Sequence, residues 1–120
     1  MAEMAGDPQS AALEAIRMLS ADYRARLPAR LDEIEQAWRT LSAPCWNEEA
    51  ARDLHRAVHG VTGSARIFGL PEVSDAARAL ESDLQALLGA GPAERTRLSE
   101  RIPDGLRGLR AALGTPHLPD

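Results

Sequence analysis

Apolar positions recur along this chain three and four residues apart, with polar and charged residues filling the gaps. That period belongs to helices with one buried stripe rather than to strands. The first stripe starts near Ser10 and passes through Leu13, Ile16, Leu19 or Ser20, Tyr23 and Leu27. Pro28 then either kinks that helix or opens a new one as a first-turn residue. Leu31, Ile34, Trp38 and Leu41 mark a second stripe, and SAPCWNEE reads as a loop with Pro44 as its breaker. Asn47 suits an N-cap, and Glu48 and Glu49 sit where the helix dipole favours acids. A third helix follows over 48–68, with Leu54, Val58, Val61, Ala65 and Phe68 forming a bundle seam.

Gly69 fits the position just past a helix end and Pro71 the first position of the next, so FGLPE is a tight helix–helix turn. The fourth helix carries Val73, Ala76 and Ala77, Leu80, Leu84, and Leu87 with Leu88, and GAGP ends it. A fifth begins near Pro92, with Leu98, Ile102, Leu106, Leu109 and Leu113 on one face; Pro103, Gly105 and Gly108 predict a kinked course. Short loops make neighbouring helices antiparallel. The expectation is an all-α, up-down four-helix bundle with an additional N-terminal helix. Residues 1–9 form a flexible N-terminus, 10–113 the bundle and 114–120 a flexible tail.

Composition narrows the function. The chain has 120 residues, enough for one domain, with 44% hydrophobic and 27% charged residues. Aromatics are 3%, so the core is aliphatic. The net charge of −4 argues against a nucleic-acid binder, which would carry a basic stripe. No apolar run is long enough to span a membrane, and the N-terminus lacks a signal peptide's basic and apolar regions. The lone Cys45 excludes an internal disulfide and suits a reducing cytoplasm. The initiating Met and polar termini suggest a free-standing protein. All 14 basic residues are Arg.

The chemistry concentrates in HRAVHGVTGSARIFGL, residues 55–70. His55, His59, Thr62, Arg66 and Gly69 fall on one flank of the third helix, next to its apolar seam. Gly60 and Gly63 lie beside His59, although a helical glycine costs about 1 kcal/mol relative to alanine. Their absent side chains leave the imidazole open to the backbone of another protein. A neutral imidazole is a good nucleophile near neutral pH. The level of His59 on the fourth helix falls near Glu81, whose carboxylate can accept Nδ1–H and leave Nε2 as the nucleophile. Gln85, one turn further, is a less suitable alternative. His55 and His59 form H-x-x-x-H, but zinc needs three or four ligands and no third appears, so no metal site is expected. GVTGS lacks the lysine and the preceding strand of a phosphate loop, and Ser64, in mid-helix, lacks the glycine spacing of a nucleophile elbow.

The segment AVHGVTGSARIFGLPEVSDAARALE resembles the signature helix pair of histidine-containing phosphotransfer (HPt) domains. His59, Gly63, Ser64, Ala65, Gly69, Leu70, Leu80 and Glu81 carry the likeness. The resemblance implies a phosphorelay in which His59 accepts a phosphoryl group from a receiver-domain aspartate and passes it to another. It implies response-regulator receivers and a hybrid histidine kinase as partners. It also implies no cofactor of the chain's own, with Mg²⁺ held by the receiver. Gly60, Thr62, Gly63, Ser64, Arg66 and Glu81 would support the acceptor, and His55, Arg56, Thr62 and Arg66 would meet the partner together with part of the second helix. One position departs from the family pattern: Thr62 stands where a lysine is usual, so a cationic group has to come from Arg66 or Arg56. If neither supplies it, the alternative is a receiver-binding helical adaptor that sequesters its partner without carrying phosphate. A histidine-kinase dimerisation hairpin is a third reading, but five short helices favour a closed monomer.

Overall fold

The computed structural model describes residues 8–41 and 46–114. The expectations for residues 1–7, for Pro44 and Cys45 and for 115–120 lie outside the described residues. Five helices follow in order among the described residues: α1 (Pro8–Leu41), α2 (Glu48–Ile67), α3 (Pro71–Leu88), α4 (Pro92–Ser99) and α5 (Ile102–Leu113). The fold is the all-α bundle that the periodicity predicts. Its core joins Leu27, Leu31, Ile34 and Trp38 of α1 to Leu54, Val58 and Val61 of α2, Val73, Leu80 and Leu84 of α3, and Ile102 and Leu109 of α5.

Two helix boundaries differ from expectation. The first and second apolar stripes lie on one continuous 34-residue helix that runs through Pro28. A proline inside a helix removes one backbone hydrogen bond and costs about 3 kcal/mol. Burial of Leu27 and Leu31, each 2% exposed, on either side of it offsets that cost. The additional N-terminal helix is therefore the leading half of α1, and it buries little: Leu13, Ile16 and Leu19 are each more than half exposed. At 1.5 Å per residue α1 is about 51 Å long and α2 about 30 Å, so the leading half of α1 outruns its neighbour. The second difference is at the fifth stripe, which divides at Glu100–Arg101 into α4 and α5. Pro103 lies in the first turn of α5, where its missing N–H is harmless.

The helix ends follow local chemistry. Asn47 caps α2 by accepting the Ala50 N–H on Oδ1 at 2.9 Å. Beside it, the Trp46 indole donates to Glu48 at 3.0 Å and packs under the Arg95 guanidinium, 4.5 Å from the ring centroid. The α2 helix ends in a Schellman turn: Gly69 N–H bonds the Arg66 carbonyl, and Leu70 N–H bonds the Ala65 carbonyl at 2.8 Å. Gly69 takes a φ of +81°, which favours glycine, and Leu70 is buried. The Tyr23 and Phe68 rings, 5.0 Å apart, hold α1 beside this turn. On the opposite side, Arg110 of α5 bonds both Asp32 and Glu35 of α1 at 2.8 Å.

The α3–α5 contact depends on a small residue. A Cβ on Gly105 would stand 2.9 Å from Cδ1 of the fully buried Leu80. Leu80→Ala should lose about 2–5 kcal/mol of stability in urea unfolding. Gly105→Ala should be less harmful in that background than in the wild type, because the space Leu80 vacates accepts the new methyl; equal effects in both would contradict this packing.

Candidate functional site

The polar flank of α2 is built around its buried stripe of Leu54, Val58, Val61 and Ala65. His59 is one residue past Val58, and its side chain is 71% exposed. The pairs Thr62–Ser74 and His59–Glu81 show that α3 runs antiparallel to α2. Ser74, fully buried, donates to the Thr62 carbonyl at 2.7 Å and fixes the register of the two helices.

That register brings Glu81 opposite His59, as its position beyond the turn predicts. Nδ1 of His59 lies 2.7 Å from Oε2 of Glu81. With the carboxylate as acceptor, Nδ1 carries the proton and Nε2 keeps its lone pair. Oε1 of Glu81 accepts from the Thr62 hydroxyl at 3.1 Å, and the same hydroxyl lies 3.2 Å from the Val58 carbonyl. Thr62 is only 7% exposed, so its hydroxyl is turned inward to orient the carboxylate. His55 stacks nearly parallel to His59, centroids 6.5 Å apart, with its Nε2 3.9 Å from the same carboxylate oxygen. Gln85 lines the same recess as His55, His59, Thr62 and Glu81, but Glu81 is the residue that bonds His59.

The remaining predicted site residues are spread around this centre. Gly60 and Ser64 border the groove between α1 and α2, beside Tyr23, Leu27 and Arg30, whereas Thr62 and Glu81 belong to the α3 side. His59 stands between the two. A Cβ at Gly60 or Gly63 would meet nothing within 4 Å, so both glycines border open space. Arg56 is paired with Asp53 on its own helix, and Arg66 reaches Asp75 of α3 at 3.4 Å. The large exposed apolar side chains of α1 lie in its leading half, not in residues 28–41. Among the described residues, no group of three or more His, Cys, Asp and Glu is placed to hold a metal ion.

Sequence reasoning missed Ser74 and Arg78. A hydroxyl between Val73 and Ala77 in an otherwise apolar stripe was the available signal for Ser74. Arg78 lies three residues before Glu81, on the same helix face, and it lines the recess beside His59.

Burial pushes the Glu81 carboxyl up, but hydrogen bonds from His59 and Thr62, with the charge of the two imidazoles, together outweigh it. The result lies below the ordinary value of 4.5. A depressed folded-state value means that the stabilisation is complete above the unfolded carboxyl's value and is lost as pH falls through the folded one. In chemical unfolding from about pH 5 down to about pH 3, the wild type should therefore lose stability more steeply than Glu81→Gln. Parallel profiles would show that His59 and Thr62 do not hold the carboxylate.

A family model of the Hpt domain matches residues 18–113. Comparisons with curated proteins and with solved structures return no significant match. No helix among the described residues is long and apolar enough to cross a membrane. The matched span takes in most of the chain, including the helical bundle and its exposed, carboxylate-paired histidine: the chain belongs to the Hpt-domain family, which serves histidine phosphotransfer in two-component signalling.

Proposed function

We propose that this chain relays a phosphoryl group between receiver-domain aspartates through Nε2 of His59. The observation that carries the reading is the state of one imidazole: its side chain is 71% exposed while its Nδ1 is held at 2.7 Å by Glu81. Exposure without orientation would describe any surface histidine, and orientation without exposure a buried structural one. In the forward step the Nε2 lone pair attacks phosphorus and the Nε2–P bond forms. The P–O bond to the receiver aspartate breaks, and its electron pair leaves on that carboxylate. While Nδ1 keeps its proton the ring carries positive charge, which the Glu81 carboxylate faces. The reverse sequence passes the group to the next receiver.

Phosphoryl transfer is governed by positioning and by stabilisation of charge. On this reading the receiver's Mg²⁺ meets the phosphoryl oxygens from its side, and this chain brings a nucleophile and no cofactor. The partners are a hybrid histidine kinase and response-regulator receivers, met by a monomer in the cytoplasm. The docking face is centred on His59 and extends over the α1–α2 groove past Gly60, with His55, Arg56 and Arg66 around it. The open space at Gly60 and Gly63 is then the clearance into which the receiver's backbone moves.

Incubation with a panel of phosphorylated receivers tests the relay. Acid-labile label should appear on the wild type and on His55→Ala, and be absent from His59→Ala. Glu81→Gln should slow labelling about tenfold, roughly the 1.4 kcal/mol between a charged and a neutral acceptor at Nδ1. A receiver that binds tightly yet never transfers would instead favour the sequestering adaptor. Gly60→Ala and Gly63→Ala should each raise stability by up to about 1 kcal/mol, since alanine is the better helix former, while slowing transfer from a receiver. Unchanged transfer would show that the glycines do not serve access.

A further inference from the structure

A phosphoryl group on nitrogen carries about two negative charges, and the charged group bonded to the same imidazole, Glu81, is an anion. The cations expected to balance it are engaged elsewhere: Arg56 with Asp53 and Arg66 with Asp75. Arg78 differs from both. It projects from α3 into the recess that also holds His55, His59, Thr62 and Glu81, and it makes no hydrogen bond or ion pair with any described residue. The cross-helix pairs Arg66–Asp75 and His59–Glu81 bracket it. Because α3 runs antiparallel to α2, the level of Arg78 on α2 is that of Thr62, one turn from His59. Thr62 is buried with its hydroxyl turned inward, and Arg78 is the arginine among the residues that line the recess.

We infer that Arg78 forms an anion subsite beside His59, holding the phosphoryl oxygens from α3 while Nε2 bonds to phosphorus. The inference rests on the relay reading and adds to it the group that meets the charge from this chain's own side. The planar fork of a guanidinium can donate two N–H bonds to two phosphoryl oxygens, a geometry lysine lacks, although lysine keeps the charge. Among the described residues Arg78 has no ion-pair partner, so none of those contacts has to break before it turns to the incoming group. Its position three residues before Glu81 also gives α3 two opposite duties on one face. Glu81 faces the positive edge of the ring at Nδ1, and Arg78 faces the negative group growing at Nε2.

The test uses phosphoramidate as a small donor beside a phosphorylated receiver. Its protonated P–N bond breaks to release ammonia as the Nε2–P bond forms, so no docking surface is involved. Wild type, Arg78→Gln, Arg78→Lys and His59→Ala are compared for rate of labelling and for thermal unfolding. Arg78→Gln should label about fivefold more slowly with either donor, the most that an exposed ion pair is worth. Arg78→Lys should recover most of that loss, and all variants should unfold near the wild-type temperature. Equal rates for wild type and Arg78→Gln would overturn the subsite. So would a loss seen with the receiver alone, which would make Arg78 a docking residue. A wild type that takes no label from either donor would overturn the relay itself, and the subsite with it.

Discussion

The register between α2 and α3 is the constraint on which the rest of this protein depends. It is established at the turn, where Gly69 adopts a φ of +81° and the chain reverses within a few residues. It is then locked inside by the buried Ser74 hydroxyl on the Thr62 carbonyl. Helices can slide past one another when only aliphatic side chains lie between them, because the hydrophobic effect is non-directional. A buried hydrogen bond is directional and costly to leave unmade. The pairing of His59 with Glu81, three turns from the connection, inherits its geometry from these two features.

The site itself is graded from inside to outside. Thr62 is buried, Glu81 is about one-fifth exposed and His59 is mostly exposed. Each member is held by the one beneath it, so orientation is transmitted from a rigid interior to a reactive surface group. This arrangement also explains how threonine serves at position 62. Its hydroxyl is short enough to be enclosed against Val58 and Glu81, and there it steadies the carboxylate instead of reaching toward solvent. The cost of burying the hydroxyl is met by those two acceptors.

Around that site the molecule is unequal along its length. The bundle is as long as α2, while α1 continues past it and leaves Leu13, Ile16 and Leu19 exposed. The groove between α1 and α2 opens at Gly60 and Ser64, on the side of His59 opposite to the recess of Thr62 and Glu81. The two sides differ in character, one bordered by open space at Gly60, the other tied by the hydrogen bonds of Thr62 and His59 to Glu81. His59 stands on the ridge between them.

Much of this was legible in the residues themselves. The seam from Leu54 to Ala65, the Asn47 cap, the Gly69–Pro71 turn, the flank bearing His59 and the partner at Glu81 are all consequences of local rules: helical period, cap chemistry and the antiparallel return that a short turn imposes. Other features were decided by tertiary structure. Whether Pro28 would break α1 depended on what Leu27 and Leu31 could bury, and whether Leu13 and Ile16 would enter a core depended on how far α2 extends. The tolerance of Gly105 for Leu80 belongs to two helices distant in sequence. The arginines near the site are alike as letters: Arg56 and Arg66 are paired, whereas Arg78 lines the recess with no ion-pair partner among the described residues. Periodicity says which face a residue occupies, but only packing in three dimensions determines which charges meet and which are left to act.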